Sequence, residues 1–202
     1  KSFKSHLKIL SNKQKGDAFE LLTKFYLQLH PTYTTQLKHV WLLSEVPSKI
    51  HRKLNLPETD EGIDLIAETN DGTYWAIQSK YKEDETKSLT RKELSTFTDL
   101  AFNICKNIEL GLVCTSTDRT SHKLKMHGDR LGFRSGEVWR SLDEDFFNLI
   151  HKHLKGKAIQ VIPLKPRQHQ ERAITKAYRH FVEEKNSRGK LIMPCGTGKS
   201  LA

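Results

Sequence analysis

The sequence predicts an α/β protein in which a mixed β-sheet is flanked by helices. The first supporting observation is a pair of short apolar runs, Glu61–Ala67 and Tyr74–Lys80, on either side of Asn70-Asp71-Gly72. This tripeptide is a strong signal for the turn of a β-hairpin. The second observation is the order of the predicted elements, which runs helix, hairpin, helix, strand, helix and is typical of a sheet covered by helices.

Each element is predicted from its spacing or its terminal signals. Lys13–Leu29 has apolar residues at near-helical spacing and is followed by His30-Pro31, which ends a helix. Residues 34–54 are ambiguous and are predicted to be helical on both sides of Pro47. Thr90-Arg91-Lys92-Glu93 is a capping-box signature, which predicts a helix to about Ile104. The remaining predicted elements are a buried strand Ile108–Thr115, a basic helix Ser121–Leu131, a short strand Val138–Trp139 and an amphipathic helix Leu142–Leu154.

The hairpin carries the candidate chemistry. Asp64 lies among apolar neighbours in the first run, and Gln78 and Lys80 lie on one face of the second, because strand side chains repeat every two residues. We therefore expect a carboxylate, an amide and an ammonium to converge at one end of the hairpin. Oxygen ligands suit Mg²⁺, and a nearby lysine can orient a water, which together favour phosphodiester cleavage. The alternative is a structural one, in which Asp64 is a strand-edge carboxylate and Lys80 a solvated strand end.

These residues resemble the PD-(D/E)xK nuclease superfamily, and specifically its Mrr-like branch, in which glutamine replaces the second acidic residue. Gln78-Ser79-Lys80 matches the Q-x-K of that branch, Gly62-Ile63-Asp64 its first aspartate, and Gly16–Glu20 its helix glutamate. No Pro-Asp pair precedes the strand, and Mrr-like members commonly lack it. The resemblance implies a restriction-endonuclease-like fold with Asp64, Gln78, Lys80 and Glu20 as catalytic residues. It also implies that Asp64, Gln78 and the Ser79 backbone carbonyl hold Mg²⁺, while Lys80 positions the attacking water.

A second motif lies near the end of the chain. Residues 193–200 read Met-Pro-Cys-Gly-Thr-Gly-Lys-Ser and fit a phosphate-binding loop, with methionine where the strict pattern has glycine. The loop predicts an ATP site in which backbone amides cradle phosphates, the lysine reaches the β- and γ-phosphates, and the serine ligates Mg²⁺. The residues assigned to it are Gly196, Thr197, Gly198, Lys199 and Ser200. Because the sequence stops where the next helix is expected, we also expect it to be part of a longer protein.

Upstream of this loop, Pro166–Ile174 resembles the adenine-recognition segment of superfamily 2 helicases and translocases. The resemblance implies that Gln170 binds adenine with help from Arg167 and that a RecA-like motor domain begins here. The expected organisation is a nuclease domain over residues 1–156, a linker over 157–166 and the start of a motor over 167–202. Later motor motifs are absent from these residues, so this portion alone is not expected to hydrolyse ATP.

Composition is consistent with a polyanion as partner. The chain has 34 Lys and Arg against 24 Asp and Glu, a formal net charge of +10, which favours contacts with phosphates. The basic residues predicted to contact DNA are Lys82, Arg91, Lys92, Arg119 and Lys123, although charge runs are also typical of solvated faces. The three cysteines show no disulfide or zinc spacing, which favours a reducing cytoplasm, and no apolar run predicts a membrane span.

The order of nuclease and motor resembles that of single-polypeptide Type I (Type ISP) restriction–modification enzymes. This implies a bacterial cytoplasmic enzyme that acts on double-stranded DNA with Mg²⁺ and ATP. The same chain would continue into the motor and then into methyltransferase and target-recognition domains, and the motor would license cutting. Three alternatives stay open at this point: a repair helicase–nuclease, a degenerate hairpin that only clamps DNA, and a scaffolding piece of an unrelated ATPase.

Overall fold

The computed structural model describes residues 10–59, 61–119, 130–156 and 168–190. The chain divides into two compact units, Lys1–Val161 and Ile162–Ala202, and each is described by itself. Several predictions lie outside the described residues. They are the helix Ser121–Leu131 apart from its last two residues, the linker 157–166, Lys123, Arg167 and the phosphate-binding loop at 193–200.

A mixed sheet forms the centre of the first unit. Its described strands are β1 (Leu37–Leu42), β2 (Leu65–Thr69), β3 (Tyr74–Lys80), β4 (Ile108–Thr115) and β5 (Leu131–Arg134), in that spatial order. β1, β2 and β3 pair antiparallel, whereas β4 joins β3 and β5 joins β4 in parallel. The predicted α/β class with a mixed sheet flanked by helices is therefore confirmed.

Helices cover the sheet. The described ones are α1 (Asn12–Leu29), α2 (Pro31–Thr34), α3 (Ser48–Leu54), α4 (Arg91–Asp99), α5 (Gly136–Arg140) and α6 (Glu144–Leu154), and a π-helical turn, Leu100–Ile104, continues α4. The predicted capping box at the start of α4 is confirmed, because the Glu93 amide donates to Thr90 Oγ1 at 3.4 Å and Glu93 Oε2 accepts from the Thr90 amide at 2.9 Å. These two bonds satisfy donors that a helix start otherwise leaves unpaired.

The two faces of the sheet carry separate clusters of buried side chains. On one face Leu65, Ala67 and Ile77 pack with residues of α1 and α6, among them Phe19 and Phe146. The other face carries a second cluster, whose members include Ile66, Ala76, Leu94, Phe97 and Ile63. Because successive strand residues point to opposite faces, the apolar runs of β2 and β3 supply both clusters.

The predicted hairpin turn is confirmed. The Thr69 amide donates to the Thr73 carbonyl at 3.0 Å, and the Gly72 amide donates to the Thr69 carbonyl at 3.1 Å. Gly72 has a φ of +80°, a conformation that glycine adopts without the steric cost of a Cβ. The turn thus brings Asp64 and Gln78, at the far ends of the two runs, to the same end of the hairpin.

Two predicted elements were wrong. Residues 37–42 form strand β1 and not a helix, because this segment pairs with β2, with one register shift between Leu37 and His39. Val138 and Trp139 lie in helix α5 and not in a strand, and the Trp139 indole donates to the Thr115 carbonyl at 2.9 Å. In both cases a contact with a distant segment decides the conformation against local propensity.

In the second unit the described residues form α7 (Gln168–Tyr178), followed by a π-helical turn at Arg179–Glu183. Gln170 and Ala173 are its buried positions on α7. The assignment of Gln170 to adenine binding stays a prediction. Across the described parts of the chain, no helix combines the length and apolar character needed to cross a membrane.

Candidate active site at the end of the hairpin

Asp64 is fixed by hydrogen bonds on three sides. It lies immediately before β2, where its amide donates to the Ile77 carbonyl at 2.9 Å and its carbonyl accepts from the Leu43 amide at 2.9 Å. Its carboxylate oxygen Oδ2 accepts from the Ser79 amide at 2.5 Å. A carboxylate that accepts a backbone N–H is held more strongly than a neutral acceptor in the same position. The side chain is therefore placed beside the Gln78-Ser79-Lys80 segment, as the sequence predicts.

The charge of the Asp64 carboxylate also affects the pKa of Cys114 on β4. Burial raises the pKa of the Cys114 thiol to about 12, the nearby Asp64 charge acts in the same direction, and Arg134 opposes both. Cys114 belongs to the buried cluster that contains Phe19 of α1.

A cleft of about 760 Å³ opens at this end of the sheet, and both Asp64 and Glu20 line it. Glu20 comes from α1, one residue after the buried Phe19, so packing of the helix on the sheet sets its position. Two carboxylates that are 44 positions apart in sequence therefore face one space, as expected from the resemblance to Mrr-like nucleases.

Gln78 directly precedes Ser79 on β3, and its side chain is 2% exposed. Its Oε1 is buried and has no hydrogen-bond donor among the described residues. A Cβ built on Gly62 would lie 3.3 Å from Gln78 Nε2, and Gly62 itself has a φ of +120°. Glycine at position 62 therefore allows the chain before Asp64 to pass directly over the Gln78 amide.

Lys80 ends β3 and is half-buried. Its carbonyl accepts from Thr115 Oγ1 at 3.0 Å and from the Ser116 amide at 3.3 Å, so β4 fixes its backbone. The pairing of Ser79 with Cys114 and of Lys80 with Thr115 continues the parallel ladder to the end of the strand. The backbone of Lys80 is consequently held in place by β4.

The possible metal ligands at this end of the sheet fit a hard cation only if side-chain amide and backbone carbonyl oxygens are included with the carboxylates. Among the described residues, no group of three or more His, Cys, Asp and Glu side chains is placed to hold a metal ion. A site built here would combine the Asp64 carboxylate with Gln78 Oε1 and a backbone carbonyl. The buried Gln78 oxygen supports such a site, because a buried acceptor without a donor is costly unless a cation or water satisfies it.

The residues predicted to contact DNA differ in how accessible their side chains are to a phosphate. Lys82 forms an ion pair with Glu93 of α4, and its side chain is 20% exposed. Arg91, Lys92 and Arg119 are exposed, and Lys123 lies outside the described residues. Lys82 would have to exchange one anionic partner for another in order to bind a phosphate, whereas Arg91, Lys92 and Arg119 are accessible.

One wall of the cleft was not predicted from the sequence. Besides Glu20 and Asp64, the lining includes Ser44, Ser48, His51, Arg52 and Glu58. The basic run from Lys49 to Lys53 was a visible signal in the sequence. Its place beside Asp64 depends on the pairing of β1 with β2, which no local sequence signal predicts.

The mixed sheet, with Asp64 placed at the end of its central hairpin, has the architecture of a restriction-endonuclease-like fold. A family model described as restriction endonuclease, Mrr_cat_2, matches residues 28–129, which is half of the chain. The chain belongs to this restriction endonuclease family. Asp64, Gln78, Ser79 and Lys80 lie within the matched segment, and Glu20 lies before it.

Among solved structures, the chain is similar to the ATP-dependent Type ISP restriction-modification enzyme LlaBIII bound to DNA. The two share 27% sequence identity with a TM-score of 0.58, over 99% of this chain. The chain spans only 12% of the length of that enzyme. No curated protein matched the sequence. The family and this similarity together support a nuclease of a restriction system.

Proposed function

We propose that this chain is the Mg²⁺-dependent DNA endonuclease domain of an ATP-dependent restriction–modification enzyme. The observation that carries the proposal is the Asp64 carboxylate, held by the Ser79 amide at 2.5 Å in a cleft shared with Glu20. The buried Gln78 Oε1, which lacks a donor among the described residues, supplies a further oxygen at the same end of the hairpin. A hard cation requires such a set of oxygen ligands.

In this proposal Asp64, Gln78 and the Ser79 carbonyl hold Mg²⁺, with Glu20 as a further carboxylate in the cleft. When bound, the ion supplies Lewis-acid stabilisation of charge on the phosphate and lowers the pKa of a coordinated water. Lys80 positions the attacking water by hydrogen bonding and stabilises the negative charge that develops on the phosphate oxygens. The anchoring of Lys80 to β4 supports this role, because catalytic groups act best when their backbone does not move.

We further propose that the nuclease works in a bacterial cytoplasm and is coupled to a double-stranded DNA translocase in the same polypeptide. The support comes from the phosphate-binding loop at 193–200 and from the similarity to an ATP-dependent Type ISP enzyme. Gln170, Arg167 and the loop residues Gly196 to Ser200 would bind ATP. Methyltransferase and target-recognition domains would follow the motor, as the resemblance to Type ISP enzymes implies.

The deciding experiment compares cutting with binding in the natural polypeptide that contains this chain. We expect Lys80→Ala to lose plasmid cleavage in Mg²⁺ and ATP but to bind DNA with unchanged affinity, because Lys80 acts on the reacting phosphate. Lys38→Ala, which removes an exposed lysine from edge strand β1, is the matched control and should retain both activities. If Lys80→Ala cuts as well as the wild type, the hairpin is a DNA clamp and not a nuclease centre.

A further inference from the structure

The cleft contains one strongly basic side chain that no part of the proposed chemistry uses. Arg52 lies on α3 and lines the same cleft as Glu20, Glu58 and Asp64. A phosphodiester that approaches these three carboxylates is repelled by them unless a cation offsets their charge. Arginine is suited to that task, because its planar guanidinium binds two phosphate oxygens at once and stays charged.

Arg52 is oriented but has no anionic partner among the described residues. Its Nε donates to the Ser48 carbonyl at 3.3 Å, which leaves the two terminal nitrogens of the guanidinium available. Three other cations of the first unit are already paired with carboxylates: Lys24 with Glu45 at 2.5 Å, Lys15 with Glu83 at 2.6 Å, and Lys82 with Glu93. The Arg52 side chain is also exposed, so a ligand can reach it without any rearrangement of the fold.

The surroundings of Arg52 extend the positive edge of the cleft. Lys49 is three residues earlier on the same helix, and residues at this spacing are neighbours on a helix surface. Ser44 and Ser48 add hydroxyl groups to the lining, and such groups commonly donate to phosphate oxygens. The cleft volume of about 760 Å³ lies within the range of ligand-binding sites.

We propose that Arg52, with Lys49 beside it, binds the DNA backbone next to the phosphate that Asp64 addresses and so positions the strand to be cut. This places the main DNA contact on α3 and not on the five residues predicted from the sequence, of which Arg91 and Lys92 lie on α4. The inference rests on the proposed function only in naming the cleft as the nuclease site. Arg52 is a positioning residue in this account, since it holds the substrate and does not touch the reacting bond.

The test measures DNA binding by the 202-residue chain in EDTA. The fluorescence anisotropy of a labelled short duplex reports binding over a range of salt concentrations. Arg52→Gln should weaken binding about tenfold at low salt, the loss expected for one charge-assisted contact. It should also lower the slope of log K against log salt by about one, since one phosphate contact is removed. Arg52→Lys should restore the slope but not the full affinity, because an ammonium cannot bind two oxygens in a fixed fork.

Lys152→Gln removes one charge from an exposed position of α6 and is the matched control, expected to leave affinity and slope unchanged. The inference is overturned if Arg52→Gln behaves like Lys152→Gln, or if the wild-type chain does not bind the duplex at the lowest salt. Binding in EDTA needs no cleavage, so its outcome is independent of whether the chain cuts DNA. If Arg52 proves necessary for binding while Lys80→Ala still cuts, the proposed catalytic centre fails and this inference stands.

Discussion

The carboxylate of Asp64 and the backbone amide of Ser79 are joined by a 2.5 Å hydrogen bond that links the entry of β2 to the end of β3. These two residues are 15 positions apart, and the bond lies one residue from Gln78 and one from Lys80. The bond fixes where the charge of Asp64 sits relative to both side chains. Catalysis by bound metal depends on such fixed distances, so the whole candidate centre depends on this contact.

Loss of this acceptor should destabilise the fold. Asp64→Ala leaves the partly buried Ser79 amide without an acceptor, and we expect the free energy of unfolding to fall by about 1–3 kcal/mol. Asp64→Asn keeps an acceptor oxygen at the same place and should lose less. Chemical denaturation of the two variants checks this order. Equal stability of Asp64→Ala and the wild type would mean that the bond contributes nothing to the fold.

Replacement by alanine should have opposite effects on stability at two glycines, Gly62 and Gly16. Gly62→Ala forces an alanine to a φ of +120° and places its Cβ 3.3 Å from Gln78 Nε2, so we expect a loss of about 1–3 kcal/mol in stability. Gly16→Ala lies inside helix α1 with no atom within 4 Å of the new Cβ, and should raise stability by about 0.5–1 kcal/mol. Thermal unfolding measures both changes. A stabilising Gly62→Ala would contradict the close approach of the chain to Gln78.

Gln78 should matter for activity and not for stability. Its Oε1 already lacks a donor among the described residues, so Gln78→Leu should change the free energy of unfolding by less than about 1 kcal/mol. Metal-dependent cleavage should fall by at least roughly tenfold, because a ligand oxygen is lost. Gln28→Leu is the control: Gln28 Nε2 donates to the Val40 carbonyl at 3.1 Å, so this variant should lose stability and keep cleavage. The reverse pattern would exclude Gln78 as a ligand.

His30 should make stability depend on pH below neutrality. Burial, followed by the charge of Arg134, lowers the pKa of His30 from its ordinary value of 6.5. Its Nδ1 accepts from the Thr32 amide at 3.3 Å at the start of α2, which requires the nitrogen to be unprotonated. The unfolded chain therefore binds the proton more readily than the folded one.

The stability that His30 contributes is fully present above about pH 6.5 and is lost as the pH falls towards the lowered pKa. The slope cannot exceed about 1.4 kcal/mol per pH unit for one proton. His30→Asn retains a helix-capping side chain without titrating, so its stability should depend less on pH in this window. Denaturant titrations at a series of pH values measure the difference. A wild type and a variant with identical pH profiles would contradict the buried, neutral state of His30.

Local signals predicted the parts of the fold that local interactions determine. Asn70-Asp71-Gly72 specifies its own turn, and Thr90 and Glu93 satisfy each other across one helical turn. Strand β1 was not predictable in this way. It lies at the edge of the sheet, and its conformation is set by its pairing with β2, more than 20 residues further along the chain.

The candidate site likewise has a part that local sequence signals predict and a part that depends on distant pairing. The match of Gly62-Ile63-Asp64 and Gln78-Ser79-Lys80 to a known pattern could be found from the sequence, and the hairpin turn explains why these segments meet. The wall of the cleft that carries Arg52 could not, because it follows β1 and is attached to the site through the bond from the Leu43 amide to the Asp64 carbonyl. Because β1 was predicted to be helical, the position of Arg52 beside Asp64 was not predicted.

The central claim is that Asp64 belongs to a nuclease centre separate from the ATP site. The most direct test measures plasmid cleavage and ATP hydrolysis by the natural polypeptide that contains this chain, comparing the wild type with Asp64→Asn and Lys199→Ala in Mg²⁺ and ATP. We predict that Asp64→Asn abolishes cleavage and retains ATP hydrolysis, whereas Lys199→Ala abolishes both. Cleavage at the wild-type rate by Asp64→Asn would contradict the account, because the catalytic centre would then lie outside the hairpin.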